Sequence, residues 1–204
     1  MANHLTIEDA FSLEVRADYT SISELDNGGC RPYILFFARG TSQAGNVGDN
    51  PGPALIDLVK AGLGAANVAG QGVPYSASLL GNLASGGAPS SEAKAFADQI
   101  TAGAAKCPNS AIFVSGYSQG AALVHRAVSQ LSTAVKNQIK AAVTFGDTQK
   151  QQDGGKIPNF DASKTLIICR SGDLVCSGTL IITTAHSNYA PLAPQGADFI
   201  ISKA

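Results

Sequence analysis

Residues 33–38 (YILFFA) are an unbroken apolar run with aromatic and β-branched members. That is the pattern of a strand buried on both faces of a parallel sheet. The pattern returns at 111–116 (AIFVSG), 141–146 (AAVTFG) and 165–170 (TLIICR), and VPY at 73–75 reads as a further short strand. Between these runs the period lengthens. Residues 53–66 open on proline and space their apolar residues as a helix does. Residues 90–106 are alanine-rich behind a capping serine. Helices are also expected at 119–132, with 136–141 as a helical extension, and near 193–203. Strands and helices therefore alternate, which predicts an α/β fold: a mostly parallel sheet with helices on both faces.

In such sheets ligands bind beyond the carboxyl ends of the strands. The turns at those ends are Arg39-Gly40-Thr41, Gly116 to Gly120, Gly146-Asp147 and Ser171-Gly172-Asp173.

Composition narrows the picture. With 204 residues, 45% hydrophobic and 14% charged, the chain suits one domain, 1–204, in which 1–29 form an N-terminal arm. A net charge of −1 without a basic run points away from nucleic acid and anionic membranes. The longest apolar stretches are strand-length, so no transmembrane segment is expected. The N-terminus carries acids and lacks the apolar core of a signal peptide. Either the protein is cytosolic, or a signal has been removed and Met1 added. Cys30, Cys107, Cys169 and Cys176 are even in number, with no CxxC pair and no histidine at zinc-finger spacing, so no metal is expected. Two disulfides would suit a secreted enzyme. Cys30 and Cys107 each sit just ahead of an apparent strand.

The chemistry gathers at Gly116-Tyr117-Ser118-Gln119-Gly120. GxSxG between a strand and a small-residue helix is the pattern of a nucleophile elbow, where the serine is held on an unfavourable turn and the glycines avoid clashes. The alternative is a serine that merely packs between close elements. A serine hydroxyl needs a base, and the chain has three histidines. His4 precedes the nucleophile, the wrong order for this kind of fold. His125 lies seven residues along the same helix, about 10.5 Å away, and reads as a helix-surface or core-edge residue. His186, after the last strand and a loop, remains. The acid that orients it is Asp173 or its rival Asp147, since both end strands; a bridge between Cys169 and Cys176 would clamp the Asp173 loop. Oxyanion donors are expected from the Gln119 backbone N–H and from the Arg39–Ser42 loop.

FFARGTSQAGNVG (36–48), GYSQGAAL (116–123), FGDTQ with GKIPNF (145–160) and CRSGDLVCSGTLIITTAH (169–186) together resemble the fungal cutinases. The resemblance implies a small α/β hydrolase with a central five-stranded sheet, no lid, and no metal or cofactor. It implies Ser118 as nucleophile, His186 as base and Asp173 as acid, with Thr41 and Gln119 at the oxyanion hole. It pairs Cys30 with Cys107 and Cys169 with Cys176, and it brings Leu80 near the substrate. Thr41 stands where some relatives carry serine, which also offers a hydroxyl.

The stretch GTLIITTAH (178–186) leads into His186 with Leu180, Ile181 and Ile182. Beside an exposed serine it suggests an apolar rim that docks on a waxy solid, with Leu180 and Ile182 facing Leu80 across the groove. The expected activity is ester hydrolysis through an acyl-enzyme. The expected substrates are insoluble polyesters such as cutin, lipid-like esters and short-to-medium acyl esters, handled by a secreted monomer. An acetylxylan-type esterase would need a narrower acyl pocket and a polar rim. A non-catalytic surface-binding protein would have no reason to keep all three catalytic groups.

Overall fold

A computed structural model describes residues 19–204. Its sheet is formed by β1 (Tyr33–Ala38), β2 (Val68–Gly72), β3 (Ala111–Tyr117), β4 (Ile139–Phe145) and β5 (Thr165–Ile168), all parallel in the order β2-β1-β3-β4-β5. The connecting helices are α1 (Gly52–Leu63), α2 (Ser90–Lys106), α3 (Gln119–Ser129), α4 (Thr133–Gln138) and α5 (Ala193–Ser202). The expected α/β architecture, with five strands and helices on both faces, is present.

Strand β1 shows why the apolar runs are continuous rather than alternating. Ile34 and Phe36 enter one core with Phe96, Ile100 and Leu123 of α2 and α3. Leu35 and Phe37 enter the other with Leu55, Ile56 and Ile200 of α1 and α5. Both faces are closed to water, so every position along the strand is apolar. The chain moves from β1 out to β2, then back across β1 to β3. The strand order therefore reverses at β1, and the crevice beyond the ends of β1 and β3 is where such sheets bind ligands.

Two expected boundaries move. The edge strand is β2, Val68–Gly72, not 73–75; after it, only the Val73 N–H still reaches the Phe37 carbonyl. Gly70 and Gly72 hid this strand, because glycine disfavours strands in general. Here they make room: a Cβ on Gly72 would lie 2.0 Å from Asn46 Oδ1. Residues 136–141 do not extend a helix. The α4 helix, capped by the Ser132 hydroxyl, ends at Gln138, and β4 starts at Ile139.

Residues 19–29 lie along α1 and β2. Tyr19 donates to Asp57 at 3.0 Å, Ser23 forms an antiparallel bridge to Gln71, and Glu24 takes an ion pair from Lys60 at 2.7 Å. The rest of the expected arm, residues 1–18 with His4, lies outside the described residues.

Both disulfides are present. Cys30–Cys107 joins the entries to neighbouring strands β1 and β3 across 77 residues of chain, a closure that stabilises by about 4–5 kcal/mol in the chain-entropy account. Cys169–Cys176 closes a span of seven residues beyond β5. No helix among the described residues is long and apolar enough to cross a membrane.

Candidate active site

Between β3 and α3 a single residue, Ser118, makes the turn, with φ 55° and ψ −118°. A positive φ on a non-glycine residue is strained and persists only where its surroundings hold it. The two flanking glycines do so. A Cβ on Gly116 would lie 2.3 Å from the Gly120 carbonyl oxygen, and one on Gly120 would lie 2.0 Å from the Ala38 carbonyl oxygen. Only glycine lets α3 start this close to β1 and β3, and that closeness lifts Ser118 into the crevice.

Ser118 Oγ lies 2.9 Å from His186 Nε2, and His186 Nδ1 lies 2.8 Å from Asp173 Oδ2. Asp173 and His186 are both buried. The carboxylate is further held by the Val175 N–H on Oδ1 and by the Tyr189 hydroxyl, which donates to Oδ2 at 2.5 Å. Tyr117 stacks on the imidazole with centroids 5.2 Å apart, and its hydroxyl donates to the His186 carbonyl. Burial, with the nearby Asp173 and Asp49 carboxylates, pushes the Tyr117 phenol up to about 12, so it stays a donor. Gly146 also packs close to the ring: a Cβ there would be 2.9 Å from His186 Cε1. A hydroxyl aligned in this way can hand its proton to the imidazole as it attacks a carbonyl.

Asp147, the rival acid, does not reach His186. It is fully buried and bonds His125, Thr144 and the Gln149 N–H instead. His125 is likewise not a surface or core-edge residue: 1% exposed, it has carboxylates on both ring nitrogens.

Gln119 opens α3, directly after Ser118, where first-turn N–H groups lack helical acceptors. Its side chain donates to Ser78 O at 2.8 Å and fixes the turn at Leu79–Leu83. Thr41 follows β1, and its hydroxyl meets Asn82, whose amide donates to Oγ1 at 2.9 Å. Asn82 was not legible in the sequence, because it arrives from a turn 41 residues away.

The family model described as Cutinase matches residues 29–204. The cutinase CUT2 of Pyricularia oryzae is 61% identical over 184 residues, covering 90% of this chain and 86% of the relative. This chain belongs to the cutinase family. It is a serine esterase, a hydrolase of carboxylic esters. Among solved structures it is similar to the Trichoderma reesei cutinase in complex with a C11Y4 phosphonate inhibitor: TM-score 0.80, 37% identity, covering 90% of this chain and 80% of that one. The catalytic core domain of an acetyl xylan esterase from Trichoderma reesei shares the fold at 22% identity and a TM-score of 0.66, covering 86% of this chain and all of that one.

The cutinase crevice is a groove of about 450 Å³ whose walls include Leu80, Leu180 and Ile182, with Ser118, His186 and Thr41 along it. Sequence reading missed Leu79, Leu83 and Val175, which also line it. Ile181 is not part of the groove lining yet is 59% exposed, so the apolar rim extends beyond the walls. The stretch 178–183 is neither strand nor helix, which leaves its aliphatic side chains at the surface.

Proposed function

We propose that this cutinase is a secreted, monomeric enzyme that hydrolyses the ester bonds of water-insoluble polyesters such as cutin, and of short-to-medium acyl esters. Ser118 is the nucleophile, His186 the general base and then acid, and Asp173 the group that orients and stabilises the imidazolium. Ser118 Oγ attacks the ester carbonyl while His186 Nε2 takes its proton. The oxyanion is held by the Gln119 N–H and the Thr41 side. Collapse expels the alcohol, which takes the proton from His186 and leaves Ser118 acylated. Water, deprotonated by His186, then releases the acid and restores the serine.

The observation that carries this reading is the Ser118–His186–Asp173 line of hydrogen bonds opening into an apolar groove. Leu79, Leu80 and Leu83 are each more than 70% exposed on one lip, and Leu180, Ile181 and Ile182 more than 50% on the other. Six large aliphatic side chains facing water around a reactive serine suit docking on a solid apolar surface. All three proposed catalytic groups come from one chain, so a monomer suffices. Two disulfides suit an oxidising exterior. The acetylxylan-type reading fits less well, because large exposed aliphatic side chains dominate both lips of the groove where a sugar would need a polar rim.

The test is hydrolysis of p-nitrophenyl esters from acetate to palmitate and of a polyester film, with Ser118→Ala beside the wild type. A preference for butyrate-like chains, film erosion and an inert mutant are expected. Cleavage of acetate alone would shift the reading to the acetylxylan type; an active mutant would make Ser118 a packing residue.

A further inference from the structure

Away from the Ser118 site, the structure buries a second histidine between carboxylates. His125 Nε2 lies 2.8 Å from Asp147 Oδ2 and Nδ1 lies 2.7 Å from Asp153 Oδ2. A carboxylate only accepts, so both ring nitrogens must donate and the ring is an imidazolium. Burial alone would push its pKa down; the Asp147 charge and the hydrogen bonds from both carboxylates outweigh that and raise it to about 9. Among the described residues, Asp147 and Asp153 are the charged groups that bond the ring. On α2, Glu92 accepts from the Ser76 N–H, Lys94 pairs with Asp98 on the surface and Lys106 donates to Leu25 O. On α3 itself, Arg126 turns to Ser85 O. Strands β1 and β3 carry no charge, and Lys140 of β4 donates to Asn137 O.

The two carboxylates bracket a loop. Asp147 begins it and takes the Thr144 hydroxyl at 2.6 Å and the Gln149 N–H at 2.8 Å. Asp153 closes it, with its own N–H on Gln149 O. Between them, Thr148 lines the acyl groove beside Ser118, and Gln149 and Gln152 line an adjoining pocket of about 280 Å³. Gln151 packs under the turn at Gly178, next to Leu180. His125, at the other end of the clamp, is on the same helix as Gln119.

We propose that His125 is a positioning residue for the acyl groove: bound at both ring nitrogens, it fastens the 147–155 loop, and Thr148 with it, to the helix that follows Ser118. The inference rests on the nucleophile reading of Ser118. It acts on how the chain of the acyl group is gripped, not on the proton transfers.

The experiment is KM and kcat from pH 6 to pH 10, by pH-stat, for an octanoate and an acetate ester. The wild type, Asp153→Asn and His125→Gln are compared. Losing the ring's second proton frees the loop, and the apparent affinity falls with the fraction still clamped. In the wild type, KM for octanoate is therefore expected to rise roughly fivefold between pH 9 and pH 10, with kcat for acetate moving much less. Asp153→Asn removes one carboxylate, so the rise should begin at lower pH. His125→Gln should show a high octanoate KM with no rise at all. In parallel, ¹⁵N NMR of the wild type at pH 7.5 should find both His125 ring nitrogens protonated. A flat wild-type KM, a rise that Asp153→Asn leaves in place, or a singly protonated ring overturns the proposal. Should His125→Gln fail to fold, the other two measurements still decide. Failure of the Ser118 reading looks different: Ser118→Ala would then cleave both esters, whatever the pH profile.

Discussion

Two buried histidines each bond an aspartate that follows one of two neighbouring strands, β4 and β5. At the end of β5, Asp173 holds His186 Nδ1, and the opposite nitrogen meets a serine hydroxyl. At the end of β4, Asp147 holds His125 Nε2, and the opposite nitrogen meets a second carboxylate. The difference is one partner. A hydroxyl can donate to a neutral imidazole and lose its proton to it, so the His186 pair can cycle between two protonation states. A second carboxylate demands a second proton on the ring and keeps it there. In the proposed mechanism the first cluster changes charge in each cycle, while the second stays charged up to about pH 9. A histidine–aspartate contact is thus not a catalytic signature; what decides is the group at the far nitrogen, and whether a cavity reaches it.

The sharpest way to break the comparison is the same substitution at both acids. Asp173→Asn should lower kcat by about 10⁴-fold, because the imidazole loses its orienting and stabilising partner, with little change in melting temperature. Asp147→Asn should do the reverse. It leaves a buried imidazolium with one charged partner, and breaking a buried pair costs about 3 kcal/mol or more, or roughly 6–12 °C in Tm for a chain of this size. Its kcat on acetate should stay within about tenfold of wild type. Acetate kinetics and thermal melts on the two variants suffice; equal effects on activity would erase the distinction.

A smaller effect sharpens it through pH. The folded state raises His125 to about 9 from 6.5. Its contribution to stability is full below about pH 6.5 and is lost as pH rises through 9, and such a shift corresponds to something on the order of 3 kcal/mol. Asp147 runs the other way. Burial would raise it, but His125 and the Thr144 and Gln149 hydrogen bonds hold it below its ordinary 3.8. Its contribution is present above that value and is lost on acidification. Thermal unfolding of the wild type and His125→Gln at pH 6, 8 and 10 should give a Tm gap that narrows steadily towards pH 10. A constant gap would mean that the ring carries no proton to lose.

What could be read in advance divides along the same line. Motif order along the chain carried GYSQG, then GDLVC, then a histidine, because the proposed catalytic groups sit on turns whose local sequence is constrained. The parallel strands were legible wherever burial on both faces forces continuous apolar runs. Three things were not. Strand β2 is disguised by Gly70 and Gly72, chosen for clearance. Asn82 supports Thr41 from a distant turn with no pattern of its own. His125 lies 22 and 28 residues from its carboxylates, so helical position alone made it look peripheral. The choice between Asp147 and Asp173 turned on the same blind spot, since only the fold says which histidine each one meets.

Two threonines give the finest version of the contrast. Thr41 meets Asn82 beside Ser118, and Thr144 donates to Asp147 in the other cluster. Valine keeps the shape of threonine and removes only the hydroxyl. At Thr144 the substitution takes a buried hydrogen bond from a carboxylate, which costs about 1.5–3 kcal/mol of stability while acetate kinetics barely move. At Thr41 the hydroxyl is half open to the groove, so stability should hold. If that hydroxyl helps to bind the oxyanion, kcat should fall by roughly 10²-fold, and Thr41→Ser should recover most of it. Loss of activity at Thr41→Val without rescue by serine would instead place the defect in the backbone of the loop. In that case the second oxyanion donor is the main-chain N–H, and the Asn82 contact holds the loop in place without aiming the hydroxyl.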